Sequence, residues 1–73
     1  MTLQSISSKE PHEITFIEES ELKFRLYEMG IYPKQTLRLV QKAPLGDPIV
    51  VEVDDQLIML RTEEAKLVTV IEK

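Results

Sequence analysis

The sequence predicts a mainly β fold: a small, half-open barrel of five short strands with one short α-helix at about Glu21–Met29. Three observations lead there. Five segments of strand length alternate apolar and polar residues or are rich in β-branched ones. One segment spaces its apolar residues Leu22, Leu26 and Met29 at helical intervals instead. Prolines, glycines and an aspartate pair fall between these segments, where turns need them.

The chain has 73 residues, room for one domain spanning 1–73 with a small core. Residues 1–11 are polar apart from Met1, Leu3 and Ile6, so a loose start is expected, with one short turn that docks Leu3 and Ile6. Pro11 closes it. In His12–Glu18, Ile14 and Phe16 alternate with Glu13 and Thr15, the period of a strand. Ser20 can cap the helix that follows, although residue 23 is Lys and completes no capping box. Gly30 stands just past the last periodic residue, where a left-handed C′ position favours glycine. Pro33-Lys34 reads as a type I turn, since type II wants glycine third.

Thr36–Gln41 is the second strand and Ile49–Val53 the third. Between them, Lys42-Ala43-Pro44-Leu45-Gly46-Asp47-Pro48 cannot continue either strand. Asp54-Asp55 separates the third strand from Gln56–Arg61 as a tight hairpin, though aspartate enters positive φ less easily than glycine. Thr62–Ala65 reads as one helical turn capped by Thr62, and Leu67–Glu72 as the last strand. Val50, Ile58 and Val70 fall on faces opposite their neighbours, as a sheet closing on itself allows.

Composition closes off several functions. Nine basic residues stand against thirteen acidic ones, a net charge of -4, which argues against nucleic acid or an anionic lipid surface as a partner. No stretch is apolar enough to insert into a membrane, and the N-terminus lacks the basic start and apolar run of a signal peptide, so a cytoplasmic location is expected. The one histidine, His12, has no cysteine to work with and no serine on a strand-to-helix elbow, so no enzyme activity is expected. The adjacent pairs His12-Glu13, Asp54-Asp55 and Glu63-Glu64 read as solvated turn and edge charge. No HxH, HxxxH or CxxC spacing occurs, and no phosphate-binding glycine motif, so no cofactor is expected beyond a weak surface site for a divalent metal ion.

Interaction remains. Leu22, Leu26 and Met29 form one helix face, and Phe24 and Tyr27 form a second. Both faces cannot pack on the same sheet, so one is open to a partner. Leu45 either folds back over the barrel or is offered outward.

These residues resemble the ferrous iron transport protein A family, FeoA. The resemblance rests on three pieces in order: Leu22-Lys23-Phe24-Arg25-Leu26-Tyr27-Glu28-Met29-Gly30-Ile31, then Ala43-Pro44-Leu45-Gly46-Asp47-Pro48-Ile49, then Ile58-Met59-Leu60-Arg61-Thr62-Glu63-Glu64-Ala65. Turn residues common in the family are missing at Pro33-Lys34, Asp54-Asp55 and Pro11-His12. The resemblance implies an SH3-like barrel and a cytoplasmic accessory role in ferrous iron uptake, acting through the membrane permease FeoB and its GTPase domain. The expected contacts are Leu45 as apolar anchor, Asp47 as rim charge, and Phe24, Tyr27 and Leu26 on the helix. Two other readings stand beside it: a regulatory module that senses a divalent ion or nucleotide state and modulates the transporter's GTP hydrolysis, with Arg25 or Arg61 acting in trans, or a self-associating scaffold in which a strand edge or the second helix face pairs with a copy of itself as a homo-oligomer.

Overall fold

A computed structural model describes residues 1–73. Five antiparallel strands make one sheet: β1 (His12–Ile17), β2 (Thr36–Lys42), β3 (Ile49–Val53), β4 (Gln56–Leu60) and β5 (Val68–Glu72), in spatial order β4-β3-β2-β1-β5. Two helices join it, α1 (Lys23–Glu28) between β1 and β2 and α2 (Thr62–Ala65) between β4 and β5. The sheet curls because β2 serves both halves. It pairs with β1 only at Thr36 and Leu37, then with β3 from Arg38 to Lys42, with a bulge between Leu39 and Gln41. Inside the curl, sixteen buried apolar residues form one core, drawn from every strand, both helices and the N-terminal segment.

The α1 segment begins two residues later than its spacing predicts. Ser20 Oγ accepts from the Leu22 N–H at 3.1 Å and its carbonyl accepts from the Lys23 N–H at 3.1 Å, so residues 20–22 form a turn before the helix. The far end follows the sequence. Gly30, at φ 97°, lets the Ile31 N–H reach back to the Leu26 carbonyl at 2.9 Å, while its own N–H bonds Tyr27 at 3.0 Å. That is a Schellman ending, with the expected apolar contact between fully buried Leu26 and Ile31.

The expected turn at the chain start is present: a 3-10 turn at Leu3–Ser5 buries Leu3 and Ile6 in the core, and Met1 and Thr2 bond to β5. The expectation for β1 needs correction, because there the alternation breaks. A bulge between Ile14 and Phe16 re-aims the strand, so Phe16 faces solvent and Ile17 takes its place in the core. In β3–β5 the faces alternate as expected: Ile58 and Val70 are core residues beside exposed Leu57, Met59 and Ile71, and Val50 is half-buried between buried Ile49 and Val51. Asp54 and Asp55 both take positive φ, 52° and 66°, which gives the two-residue hairpin the twist its strands require.

The turn at Pro33-Lys34 is also different. Lys34 sits at φ 78°, the value a type II turn asks of its third residue, so the lysine does glycine's work. Its N–H donates to the Ile14 carbonyl at 2.7 Å, which fixes the backbone despite the strain. Lys34→Gly is therefore expected to stabilise the fold by up to about 1 kcal/mol, a rise in melting temperature of about 4–8 °C. Thermal unfolding followed by circular dichroism reads it; a fall would mean the lysine side chain contributes more than its backbone strain costs.

Candidate functional site

The β2–β3 loop owes its shape to its own residues. The Gly46 N–H donates to the Ala43 carbonyl at 2.7 Å, closing a turn with Pro44 and Leu45 at its corners. Gly46, at φ 85°, then turns the chain back, and a cis bond joins Asp47 to Pro48. The Ala43 N–H meets the Pro48 carbonyl at 3.1 Å and shuts the base. A corner position points its side chain off the turn, and Leu45 is 96% exposed. Of the two orientations open to it, the outward one is observed.

Asp47 does not stand free at the rim. One carboxylate oxygen accepts from the Thr62 N–H at 3.0 Å and the other lies 3.6 Å from the Arg61 guanidinium. The Thr62 hydroxyl donates to the Gly46 carbonyl at 3.2 Å. Asp47 is thus first a tether that fixes the loop to the start of α2, and Thr62 is part of that tether, not the cap expected of it. The helix is capped from within: Glu64 Oε1 accepts from the Arg61 N–H at 2.9 Å, half of a capping box with arginine where serine or threonine is usual. Asp47→Ala is expected to cost about 1.5 kcal/mol, the low end for a hydrogen bond to a charged acceptor because the carboxylate is partly exposed. It should also raise the backbone mobility of Pro44–Gly46 in amide relaxation measurements; an unchanged loop would show that the turn holds itself.

Glu64 corrects a second expectation. It is 3% exposed, not solvated, with its second oxygen 3.4 Å from Arg25 Nε on α1. Two ion pairs therefore run side by side, Arg25–Glu64 and Arg61–Asp47, and connect α1, α2 and the loop. Both guanidinia are more than half exposed and border a groove of about 320 Å³ lined also by Met29, Pro48, Met59 and Leu60. An arginine acting in another protein's site would first have to leave its carboxylate. His12 is likewise buried, its Nδ1–H donating to the Glu10 carbonyl at 2.8 Å, so it is a satisfied core group.

The helix divides as its two faces demand. Leu26 is fully buried, and its expected role in partner contact is corrected: it anchors α1 to the core. Phe24 and Tyr27 point away, 73% and 41% exposed. Tyr27 tilts against Tyr32 with ring centroids 6.3 Å apart, and Lys23 lies 6.0 Å above the Tyr27 ring. The Glu19 carboxylate hydrogen-bonds the Lys23 ammonium at 3.1 Å and pushes it above the ordinary lysine value of 10.5, so it stays charged. A shallow depression of about 410 Å³ lies among Glu19, Ser20, Lys23, Phe24 and Tyr27. Leu45 borders neither this depression nor the arginine groove. No group of three or more His, Asp or Glu side chains is gathered as a metal ion would need, and no helix is long and apolar enough to cross a membrane.

Comparison with known proteins places this geometry. The model of the FeoA domain family matches residues 1–72. The solution structure of iron(II) transport protein A from Clostridium thermocellum is 40% identical, with a TM-score of 0.91 over 99% of this chain; the chain spans 45% of that one. A FeoA protein from Chlorobium tepidum is 30% identical, with a TM-score of 0.86 over 99% of this chain and 70% of its own. FeoA of Stenotrophomonas maltophilia complexed with zinc, described as an SH3 domain protein, is 28% identical, with a TM-score of 0.75 over 97% of this chain and 89% of its own. The curated proteins give no match.

Proposed function

The chain belongs to the FeoA domain family, and on that premise we propose that it is a non-catalytic accessory of ferrous iron uptake that docks on the cytoplasmic part of the membrane transporter, FeoB. The SH3-like fold alone would not support this, since such barrels host many functions. The name of the Clostridium thermocellum relative, an iron(II) transport protein, and the description of the Stenotrophomonas maltophilia one, a candidate ferrous iron transport activating factor, point the same way.

The observation that carries the reading is Leu45. A leucine 96% exposed on a loop closed by two backbone bonds and tethered to α2 through Asp47 and Thr62 is an apolar group held out at little entropic cost. An apolar side chain buried at the centre of an interface can carry much of its energy, and here the backbone that presents Leu45 is already held before binding, which lowers the ordering cost. Phe24 and Tyr27 supply a second apolar contact, and the ion pairs of Asp47 and Glu64 fix the loop and α1 relative to α2. Asp47 acts chiefly by holding Leu45 in place. Capture of the transporter's purified cytoplasmic domain on immobilised protein tests the reading. Binding is expected for the wild type; its absence across FeoB-type transporters would overturn it.

A further inference from the structure

The two edges of the sheet are treated differently. The β5 edge is covered by the chain's own start: Thr2 bridges Thr69, and Met1 and Val70 bond to each other through their main chains, the Val70 N–H at 2.8 Å from the Met1 carbonyl. The β4 edge is left bare. Edge strands are usually guarded by charge, proline or a bulge. Gln56-Leu57-Ile58-Met59-Leu60 has none of these, and its pairing with β3 runs without interruption.

The register says which groups are offered. Across the two-residue turn, Val53 and Gln56 form the hydrogen-bonded pair, so Val51 with Ile58 and Ile49 with Leu60 follow. Leu57 and Met59 fall at the alternate positions, where N–H and C=O point away from β3. Neither residue's main chain bonds elsewhere in the fold outside the sheet. Their side chains are exposed, at 68% and 64%. An apolar pair thus coincides with the free main-chain groups.

We propose that this edge pairs with β4 of a second copy, antiparallel, about a two-fold axis through Ile58. The segment Asp55–Arg61 is complementary to itself in that register. Leu57 faces Met59 of the second copy, and each such pair exchanges both of its main-chain bonds. Ile58 faces Ile58. At the ends, Asp55 of each copy meets the Arg61 guanidinium of the other, which is 69% exposed and can take a second carboxylate while keeping Asp47, beside the groove that Arg25 and Met29 border at the Leu60 end. The opposed charges fix the register, since a slip by two residues separates them. A five-residue edge covers less than the roughly 800 Å² per partner of a stable interface, so the association is weak and concentration-dependent. The residues used for transporter docking, Leu45, Phe24 and Tyr27, lie off β4, so the two interactions are independent.

Sedimentation equilibrium with amide exchange followed by NMR tests it on the intact protein. From about 10 μM to about 1 mM the mean mass should rise from one chain toward two, an interface of this size holding in the high micromolar range. The Leu57 and Met59 amides should gain protection in step. Met59→Lys, an exposed change that leaves the core intact, should weaken the association at least about tenfold by placing a buried charge at the pairing edge. Asp55→Gly keeps the positive φ of the turn and removes the charge, and should weaken it several-fold. A single-chain mass at every concentration overturns the proposal. So does a dimer whose Leu57 and Met59 amides exchange freely, or an association that Asp55→Gly leaves unchanged.

Discussion

Leu45→Asp is expected to weaken binding to the transporter's cytoplasmic domain by at least about 30-fold, the roughly 2 kcal/mol that marks an interface hot spot. The folded protein should hardly notice. Leu45 is 96% exposed, and substitution at such a site away from caps and networks usually changes stability by less than about 0.5 kcal/mol. Isothermal titration and thermal unfolding on the same samples separate the two effects. Affinity lost at constant melting temperature places the contact at the loop tip. Affinity retained by Leu45→Asp removes Leu45 from the interface, whatever becomes of Phe24 and Tyr27.

Leu26→Ala carries the largest expected effect on stability. Its side chain is fully buried and joins the Schellman ending of α1 to the core through Ile31. Truncating a buried leucine costs about 2–5 kcal/mol, the transfer term plus the cavity left behind. A 73-residue domain has a total stability of only about 4–11 kcal/mol. The variant should therefore melt at least about 8 °C lower, at roughly 4 °C or more per kcal/mol for a domain of this size. It also separates the two helix faces. Phe24→Ala, 73% exposed, should leave the melting temperature nearly unchanged and lower affinity, whereas Leu26→Ala should do the reverse as long as the protein is folded. Equal melting temperatures for the two variants would contradict the division of the helix.

Which parts of this were legible in the sequence follows a physical rule. Features set by local chemistry could be read directly. Gly30 marked the end of α1 because the position just past a helix favours a left-handed residue, and Ile49–Val53 was placed to the residue because β-branched alternation and two flanking breakers bound it. Two apolar faces on one short helix already required that one be exposed, although which one was not settled: Leu26, on the face with Leu22 and Met29, was expected at the partner until its burial was known. Features that depend on contacts across the fold were hidden. Phe16 followed a perfect period of two, and only the pairing of β1 with β5 introduces the bulge that turns it outward.

Glu64 shows the same limit at the site. Next to Glu63 it looked like solvated charge, and its burial depends on α1 bringing Arg25 to it from far away in sequence. The one local clue was a Glu three residues after Arg61, the second half of a capping box without its usual first residue. Lys34 was misread for a different reason. The preference of type II turns for glycine is an energetic bias of about a kilocalorie, and a tertiary hydrogen bond from the Lys34 N–H to Ile14 offsets it. Leu45 was undecided because a leucine at a turn corner is equally at home against a barrel or away from it. The loop's closure by Gly46 and its tether to Thr62 direct it outward.

The most direct test of docking through the loop and the outer face of α1 is an NMR titration of isotope-labelled protein with the transporter's cytoplasmic domain. Chemical-shift changes and line broadening should concentrate at Ala43–Gly46, Phe24 and Tyr27, and should leave Leu57 and Met59 unaffected. Perturbations confined to β4 or to the outer face around Phe16 and Ile71, with the loop silent, would contradict it.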